Sequence, residues 1–190
     1  QAAQVVLLES DFYCMPSVVL EGRRVVNNIQ RSASLFLVKN IFSLLLSILS
    51  AVFMISYPLE PSQVSLISMF TIGIPGFFLA LEPNKTRIKG HFMTNVLLKA
   101  LPAGLTDVFA VGALVVCGHV FGLPSADIAT AATMLLAIVG FMILYKICQP
   151  MNSVRLAVFI GCIVGMIFCG VFLNQLFAMS GMSTICILLF

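Results

Sequence analysis

The sequence predicts an all-α membrane protein, a polytopic bundle of about six transmembrane helices preceded by a short cytoplasmic helix. Of its 190 residues, 61% are hydrophobic and 9% are charged, whereas soluble domains carry roughly 25% charged residues. The mean hydropathy is +1.12. The apolar residues also form long runs, close to the roughly 20 residues that a helix needs to cross the hydrocarbon core.

Residues 1–34 are more polar than the rest and hold three of the seven acidic residues. Val5–Leu8 is consistent with a short strand, and Ser17 is a suitable cap for a helix with an apolar stripe over residues 17–34. The chain begins without Met and without the basic segment of a signal peptide, so we expect it to be part of a longer protein.

Six apolar segments follow within residues 35–190, separated by breaks that contain proline or glycine. They are approximately residues 35–57, 64–81, 100–121, 128–145, 156–173 and 176–190. Nine of the ten Lys and Arg residues precede the first segment or lie in the connections after the second and fourth. Because positive charge favours the cytoplasmic side, we expect the N-terminus to be cytoplasmic. We also expect an integral protein of the plasma membrane, in contact with the lipid bilayer.

Polar side chains form a stripe on the first predicted span. Lys39, Asn40 and Ser43 share one face with two further serines at helical spacing. Lipid offers these groups no partner, so the stripe must face protein or a water-filled cavity. We interpret it as part of a transport pathway. The alternatives are hydrogen bonds between helices and a Lys39 side chain that extends to the membrane interface.

The second span carries Ser68 and Thr71, followed by Gly73 and Pro75. Proline removes a backbone donor and clashes with the preceding turn, which predicts a break or kink. Carbonyls freed at such a break can coordinate a cation, although a plain proline kink is an equal alternative.

Asp107 lies in the third span. Either it faces the bundle, to pair with Lys39 or bind a substrate, or it lies near the interface. We expect Glu82, at the end of the second span, and His91 to be solvated rather than functional.

Motifs for soluble catalysis are absent from the sequence, which lacks GxxxxGK[ST], HExxH and GxSxG. We therefore assign no catalytic residue and no cofactor to this chain itself. The six cysteines show no CxxC spacing, so metal ligands remain unknown. The basic residues are scattered along membrane boundaries, and we expect no nucleic-acid partner.

Two segments resemble P-type ATPases. One contains Asp11-Phe12, Glu21-Gly22-Arg23 and Asn27-Asn28, and is similar to the exit of the phosphorylation domain toward the fifth transmembrane helix. The other, from Ser68 to Pro75 and followed by Glu82-Pro83-Asn84, resembles the sixth-helix motif of cation pumps. The resemblance implies that residues 1–16 are a remnant of the phosphorylation domain, residues 17–34 a stalk, and residues 35–190 transmembrane helices five to ten.

Such a pump couples ATP hydrolysis, with Mg²⁺, to cation transport. The resemblance implies an N-terminal half that this chain lacks, with actuator, nucleotide-binding and phosphorylation domains and the first four helices. A stalk that continues into the first span would act as a lever on the polar stripe.

The resemblance also indicates site residues. Asn40 and Thr71 match cation-binding residues of calcium pumps, whereas Ser43 stands in place of a glutamate. Ser68 and Ile72 replace an asparagine and an aspartate. We interpret the chain as the membrane part of a cation pump, for Ca²⁺ or a monovalent ion.

Two alternatives remain. The Lys39-Asn40 pair is similar to that of lipid flippases in the same superfamily, with Lys39 as an internal charge. A stand-alone six-helix channel or structural membrane protein is the alternative from another class.

Overall fold

A computed structural model describes residues 12–82 and 92–181, together with Thr184 and Cys186. Within these residues the chain is helical, without strands, and five helical stretches are long and apolar enough to cross a membrane. The predicted all-α polytopic bundle is therefore confirmed. The strand predicted at Val5–Leu8 and the position of His91 lie outside the described residues.

The first helix, α1, runs from Met15 to Phe53 after a short 3-10 turn at Phe12–Cys14. Its 39 residues join the predicted cytoplasmic helix and the predicted first span without interruption. It begins two residues before Ser17 because Pro16 fits the first turn, where a backbone N–H has no helical partner.

The C-terminal end of α1 also differs from the prediction. The helix ends at Phe53 rather than at residue 57, because Met54 adopts the left-handed conformation with φ of 52°. Its N–H donates to the carbonyls of Ala51 and Ser50, a common way to close a helix.

The second span consists of three pieces. Helix α2, Pro61–Ser68, is followed by a π-helical turn, Met69–Gly73, and then by α3, Ile74–Leu81. Pro75 has no N–H to return to the preceding turn. The N–H of Ile74 donates instead to the carbonyl of Met69, five residues back. The predicted break is thus a widened turn, and the helix continues through it.

Three long helices follow. They are α4, Phe92–Val120, α5, Ser125–Ile147, and α6, Ser153–Phe172. Helix α4 begins before the predicted Ala100 and contains Pro102 in its interior.

The sixth predicted span, residues 176–190, lies mostly outside the described residues. Residues 173–178 form a bend and turns, and residues 179–181 are irregular, so no helix begins at Leu176 as predicted. Ala178 has a positive φ of 49° in this segment, which is incompatible with a right-handed helix at that point.

The core lies where α1 packs along α4 and α4 packs along α5. Its most buried members include Leu46, Val111 and Ala131. The helices approach closely at glycines: a Cβ at Gly104 would lie 2.8 Å from Cγ2 of Ile41. Small residues at crossings are typical of membrane bundles.

Candidate functional site

A small cavity lies between α1, α2, the π turn, α4 and α5. It has a volume of about 60 Å³, which is enough for a few water molecules or one partly hydrated ion. Apolar side chains form most of its wall. Its polar and charged lining residues are Lys39, Ser68, Thr71 and Asp107.

Asp107 projects from α4 into the bundle. The residue is only 5% exposed, which agrees with the first of its two predicted positions. Its Oδ1 has no hydrogen-bond partner among the described residues, and no ion pair within the described chain joins it to Lys39. A buried carboxylate oxygen without a partner is costly. It is also the ligand that hard cations prefer.

The hydroxyls of the second span are ordered by their own helix. Ser68 Oγ donates to the carbonyl of Val64 at 2.6 Å, and Thr71 Oγ1 donates to that of Ile67 at 2.8 Å. Because each hydroxyl proton is used in this way, the oxygens are left as acceptors. The two hydroxyls can therefore offer lone pairs to a cation in the cavity.

Two neighbouring helices pack closely against the π turn at glycines, where a side chain would not fit. A Cβ at Gly140 of α5 would lie 2.9 Å from Thr71 Cγ2, and one at Gly165 of α6 would lie 2.6 Å from Phe70 Cε1. Both distances are shorter than carbon atoms tolerate. The turn is thus fixed from two sides at the residues that line or back the cavity.

The predicted stripe on α1 is divided by the structure. Lys39 lines the cavity, whereas Asn40 and Ser47 are exposed on the surface of the described bundle and Ser43 is partly exposed. Successive helical residues point about 100° apart, so neighbouring positions reach different surroundings. The structure therefore brings Lys39, but not Asn40 or Ser43, together with Ser68, Thr71 and Asp107.

A second polar cluster lies at the end of α3, and we call it the arginine–glutamate junction (Arg31, Glu82 and Arg155, with Asn28). Arg155 Nε lies 2.6 Å from Glu82 Oε2, and Arg31 Nη1 lies 3.7 Å from the same oxygen. The Glu82 side chain is 19% exposed. The expectation that Glu82 is solvated was therefore wrong, because two guanidinium groups from distant parts of the chain enclose it.

Backbone contacts complete the junction. Arg155 Nη1 donates to the carbonyls of Cys148 and Pro150, at 3.0 and 2.8 Å. Asn28 Nδ2 donates to the carbonyls of Ala80 and Glu82, at 2.8 and 3.2 Å. The last carbonyls of a helix lack partners within it, so Asn28 of α1 caps α3.

The junction also affects a neighbouring thiol. Burial raises the pKa of Cys148, and the nearby Arg155 and Arg31 guanidinium groups partly oppose that rise.

The sequence carried a weak signal for the junction. An acidic residue at a helix end before a proline, and an arginine at the start of an apolar segment, both suggest a buried pair. Spacing alone cannot join positions so far apart in the chain.

Metal ligation by clustered side chains is not seen in the described part of the chain. There, no three His, Cys, Asp or Glu residues form a group that could hold a metal ion. A tight Ca²⁺ site uses several oxygens with more than one carboxylate. Among the residues that the structure describes, Asp107 is the only acidic one that lines the cavity.

The chain is similar to several bacterial transport ATPases. It is 34% identical over 180 residues to the probable cation-transporting ATPase exp7 of Streptococcus pneumoniae, covering 90% of this chain and 23% of that protein. It is 35% identical over 169 residues to the calcium-transporting ATPase CtpE of Mycobacterium tuberculosis, covering 82% of the chain and 21% of the relative.

A shorter match to CtpE of Mycolicibacterium smegmatis is 44% identical over 113 residues, or 54% of the chain and 14% of the relative. The chain thus spans less than a quarter of the length of these relatives. No protein-family model matches it.

Proposed function

Since this chain belongs to the P-type cation-transporting ATPases, we propose that it is the part of the membrane domain through which a pump couples ATP hydrolysis to cation movement. In this proposal residues 1–16 end the phosphorylation domain and residues 17–34 are the stalk. The remaining partners are the N-terminal domains and first four helices of the pump. ATP and Mg²⁺ bind there, and the N-terminus of this chain is on the cytoplasmic side of the plasma membrane.

The observation that carries the proposal is the course of α1. A single helix of 39 residues passes from an N-terminal half that carries three arginines to the wall of the cavity that Lys39 and Asp107 line. Because a helix transmits tilt along its length, a movement imposed at its N-terminal end reaches Lys39. This arrangement supports a pump over a stand-alone channel, which needs no such extension.

The cavity supplies one part of the transport pathway in this proposal. Asp107 contributes a carboxylate, Ser68 and Thr71 contribute hydroxyl oxygens, and Lys39 contributes a fixed positive charge. Pro75 has no N–H to donate to the π turn, so in this proposal a carbonyl of that turn is a further candidate ligand. A buried ionisable group at membrane depth is functional by default.

The exposed polar residues of α1 supply the other part. Asn40 and Ser47 lie on the surface of the described bundle. The Ser47 hydroxyl donates to the carbonyl of Ser43 at 2.7 Å, whereas lipid offers no partner to the Asn40 amide. We assign this face to contact with the first four helices of the pump, so that Asn40 and Ser43 enter the pathway only in the assembled protein.

The transported cation is Ca²⁺ or a monovalent ion. Ca²⁺ is suggested by relatives named calcium-transporting ATPases, and Na⁺ by shorter matches to proteins named sodium-transporting ATPases. Within the described part of the chain, Asp107 alone brings an acidic side chain to the cavity, and Lys39 lines it too, which favours a site with low net charge. The Lys39-Asn40 pair keeps lipid transport as the alternative substrate class.

The test is a stimulation screen on the full-length pump. ATP hydrolysis is measured with Ca²⁺, Na⁺, K⁺ and phospholipid vesicles in turn, for the wild type and for Lys39→Ala and Asn40→Ala. We expect one cation to stimulate the wild type and both substitutions to reduce that stimulation at least about tenfold. Lys146→Ala, an exposed residue outside the cavity, serves as the control. Unchanged stimulation in both variants would refute the assigned pathway, and stimulation by lipid alone would favour a flippase.

A further inference from the structure

We propose that Glu82 is a positioning residue of the pump. It lies between Arg155 and Arg31 and connects the C-terminal end of α3 to the N-terminal half of α1. Movement of α1 then reaches the π turn through the eight residues of α3. This inference rests on the proposed pump function. It assigns the mechanical connection to the arginine–glutamate junction rather than to the cavity.

The fixed side of the junction is Arg155. Its guanidinium makes a short ion pair with Glu82 through Nε, at 2.6 Å, and its Nη1 donates to two carbonyls of the α5–α6 connection. The Arg155 side chain is 10% exposed. With these partners it can change position only together with the α5–α6 connection. Glu82 is therefore anchored to the part of the bundle formed by α5 and α6.

The adjustable side is Arg31 on α1. Its Nη1 lies 3.7 Å from Glu82 Oε2, too far for a hydrogen bond, and this buried atom has no hydrogen-bond partner in the described chain. A shift of α1 by less than 1 Å would close the contact to hydrogen-bond distance. The pair therefore senses the position of α1 relative to Glu82.

Asn28 adds a second connection between the same two helices. One turn before Arg31 on α1, its amide holds the carbonyls of Ala80 and Glu82. The end of α3 is thus connected to α1 by hydrogen bonds from Asn28 to its backbone and by the longer ion pair between Glu82 and Arg31. Because α3 is only about 12 Å long, its opposite end, at the π turn, follows the end that the junction holds.

Electrostatics make Glu82 the centre of this connection. One carboxylate oxygen faces two guanidinium groups, so a neutral residue at position 82 would leave two arginine cations beside each other in a poorly solvated region. The α1 end would then be pushed away from α3 rather than held to it. In such a variant we expect ATP hydrolysis to continue, while the mechanical connection between the phosphorylation domain and the cavity is weakened.

The experiment measures how many cations are moved for each ATP hydrolysed. Full-length pump in proteoliposomes is supplied with ATP and with Ca²⁺, Na⁺ or K⁺ in parallel, for the wild type, Glu82→Gln and Arg155→Gln. We expect both variants to keep ATP hydrolysis but to lower the ratio of cation transported to ATP hydrolysed at least about fivefold. The double variant Glu82→Gln/Arg155→Gln should be no worse than either single one, because the two residues act as a unit.

Two controls separate positioning from mere stability. Arg24→Gln removes an ion pair within α1, between Arg24 and the exposed Glu21, and should leave the ratio unchanged. Glu82→Asp keeps the charge and should give an intermediate ratio. The ratio does not depend on the amount of folded protein, since unfolded molecules neither hydrolyse ATP nor transport.

The outcomes distinguish the two proposals. A wild-type ratio in Glu82→Gln, or loss of all hydrolysis in both Glu82→Gln and Glu82→Asp, overturns the junction as a coupling element and leaves it a structural contact. A wild-type pump that neither hydrolyses ATP nor moves any of the three cations overturns the proposed function, and this inference with it.

Discussion

A methyl group added at Gly140 would press directly on the π turn. The new Cβ would lie 2.9 Å from Thr71 Cγ2 and 3.3 Å from Thr71 Cβ, against a favourable carbon–carbon separation of about 3.5–4.0 Å. Thr71 cannot easily rotate away, because it is β-branched and its hydroxyl is bonded to the carbonyl of Ile67 at 2.8 Å. Either the turn or α5 must therefore shift.

The expected change in the free energy of unfolding on Gly140→Ala has two opposing contributions. Overpacking in a well-packed core costs about 1–3 kcal/mol, whereas replacing glycine by alanine inside a helix gains about 0.5–1 kcal/mol. Gly161→Ala in α6 is the matched control, because a Cβ at that position has nothing within 4 Å. Both variants gain the same stabilisation from replacing glycine inside a helix, and only Gly140→Ala is overpacked. Gly140→Ala should therefore be less stable than Gly161→Ala by about 1–3 kcal/mol.

The assay heats the full-length pump in detergent with a thiol-reactive fluorophore. Cys148 and Cys162 are 1% and 2% exposed, so they react when the bundle unfolds. We expect Gly140→Ala to unfold at a lower temperature than Gly161→Ala. Adding Thr71→Ser should restore part of the loss, since it removes the methyl group that clashes. Equal unfolding temperatures for the two alanine variants, or no rescue by Thr71→Ser, would refute the close packing of α5 on the turn.

Two further predictions concern the ends of the bundle. Burial raises the pKa of Cys148 and keeps its thiol protonated near neutral pH. Iodoacetamide at pH 7 should therefore modify the exposed Cys14 at least about tenfold faster than Cys148 in the folded pump, as read by mass spectrometry, and comparable rates would contradict the burial. Gln63→Leu leaves the Glu60 N–H and the Ala178 carbonyl without their partner. It should destabilise the bundle by about 1–3 kcal/mol, which the same thermal assay measures, and an unchanged unfolding temperature would contradict these two contacts.

Much of the fold follows from the sequence. Apolar runs of spanning length, separated by prolines and glycines, predict the helices, and the absence of any break between Gly22 and Leu35 predicts the continuity of α1. The ends are less well predicted. Helix α1 stops at Phe53 because Met54 adopts a left-handed conformation, a backbone choice that methionine does not signal.

The candidate site was predictable only in part. Lys39, Ser68 and Thr71 stand out as polar residues on apolar helices, and the structure places them around one cavity. The separation of Asn40 from that group depends on how α1 is rotated against α4, which helical spacing does not fix. The enclosure of Glu82 depends on Arg155, far along the chain, and only the tertiary fold brings the two together.

The wide turn at Met69–Gly73 changes how the second membrane-crossing segment should be drawn. A π turn holds more residues per revolution than an α-helix, so side chains beyond it are offset in angle from those before it. A single helical wheel through residues 61–81 would therefore assign Leu79 and its neighbours to the wrong side. Two wheels, one ending at Ser68 and one beginning at Ile74, describe which residues meet lipid and which meet protein.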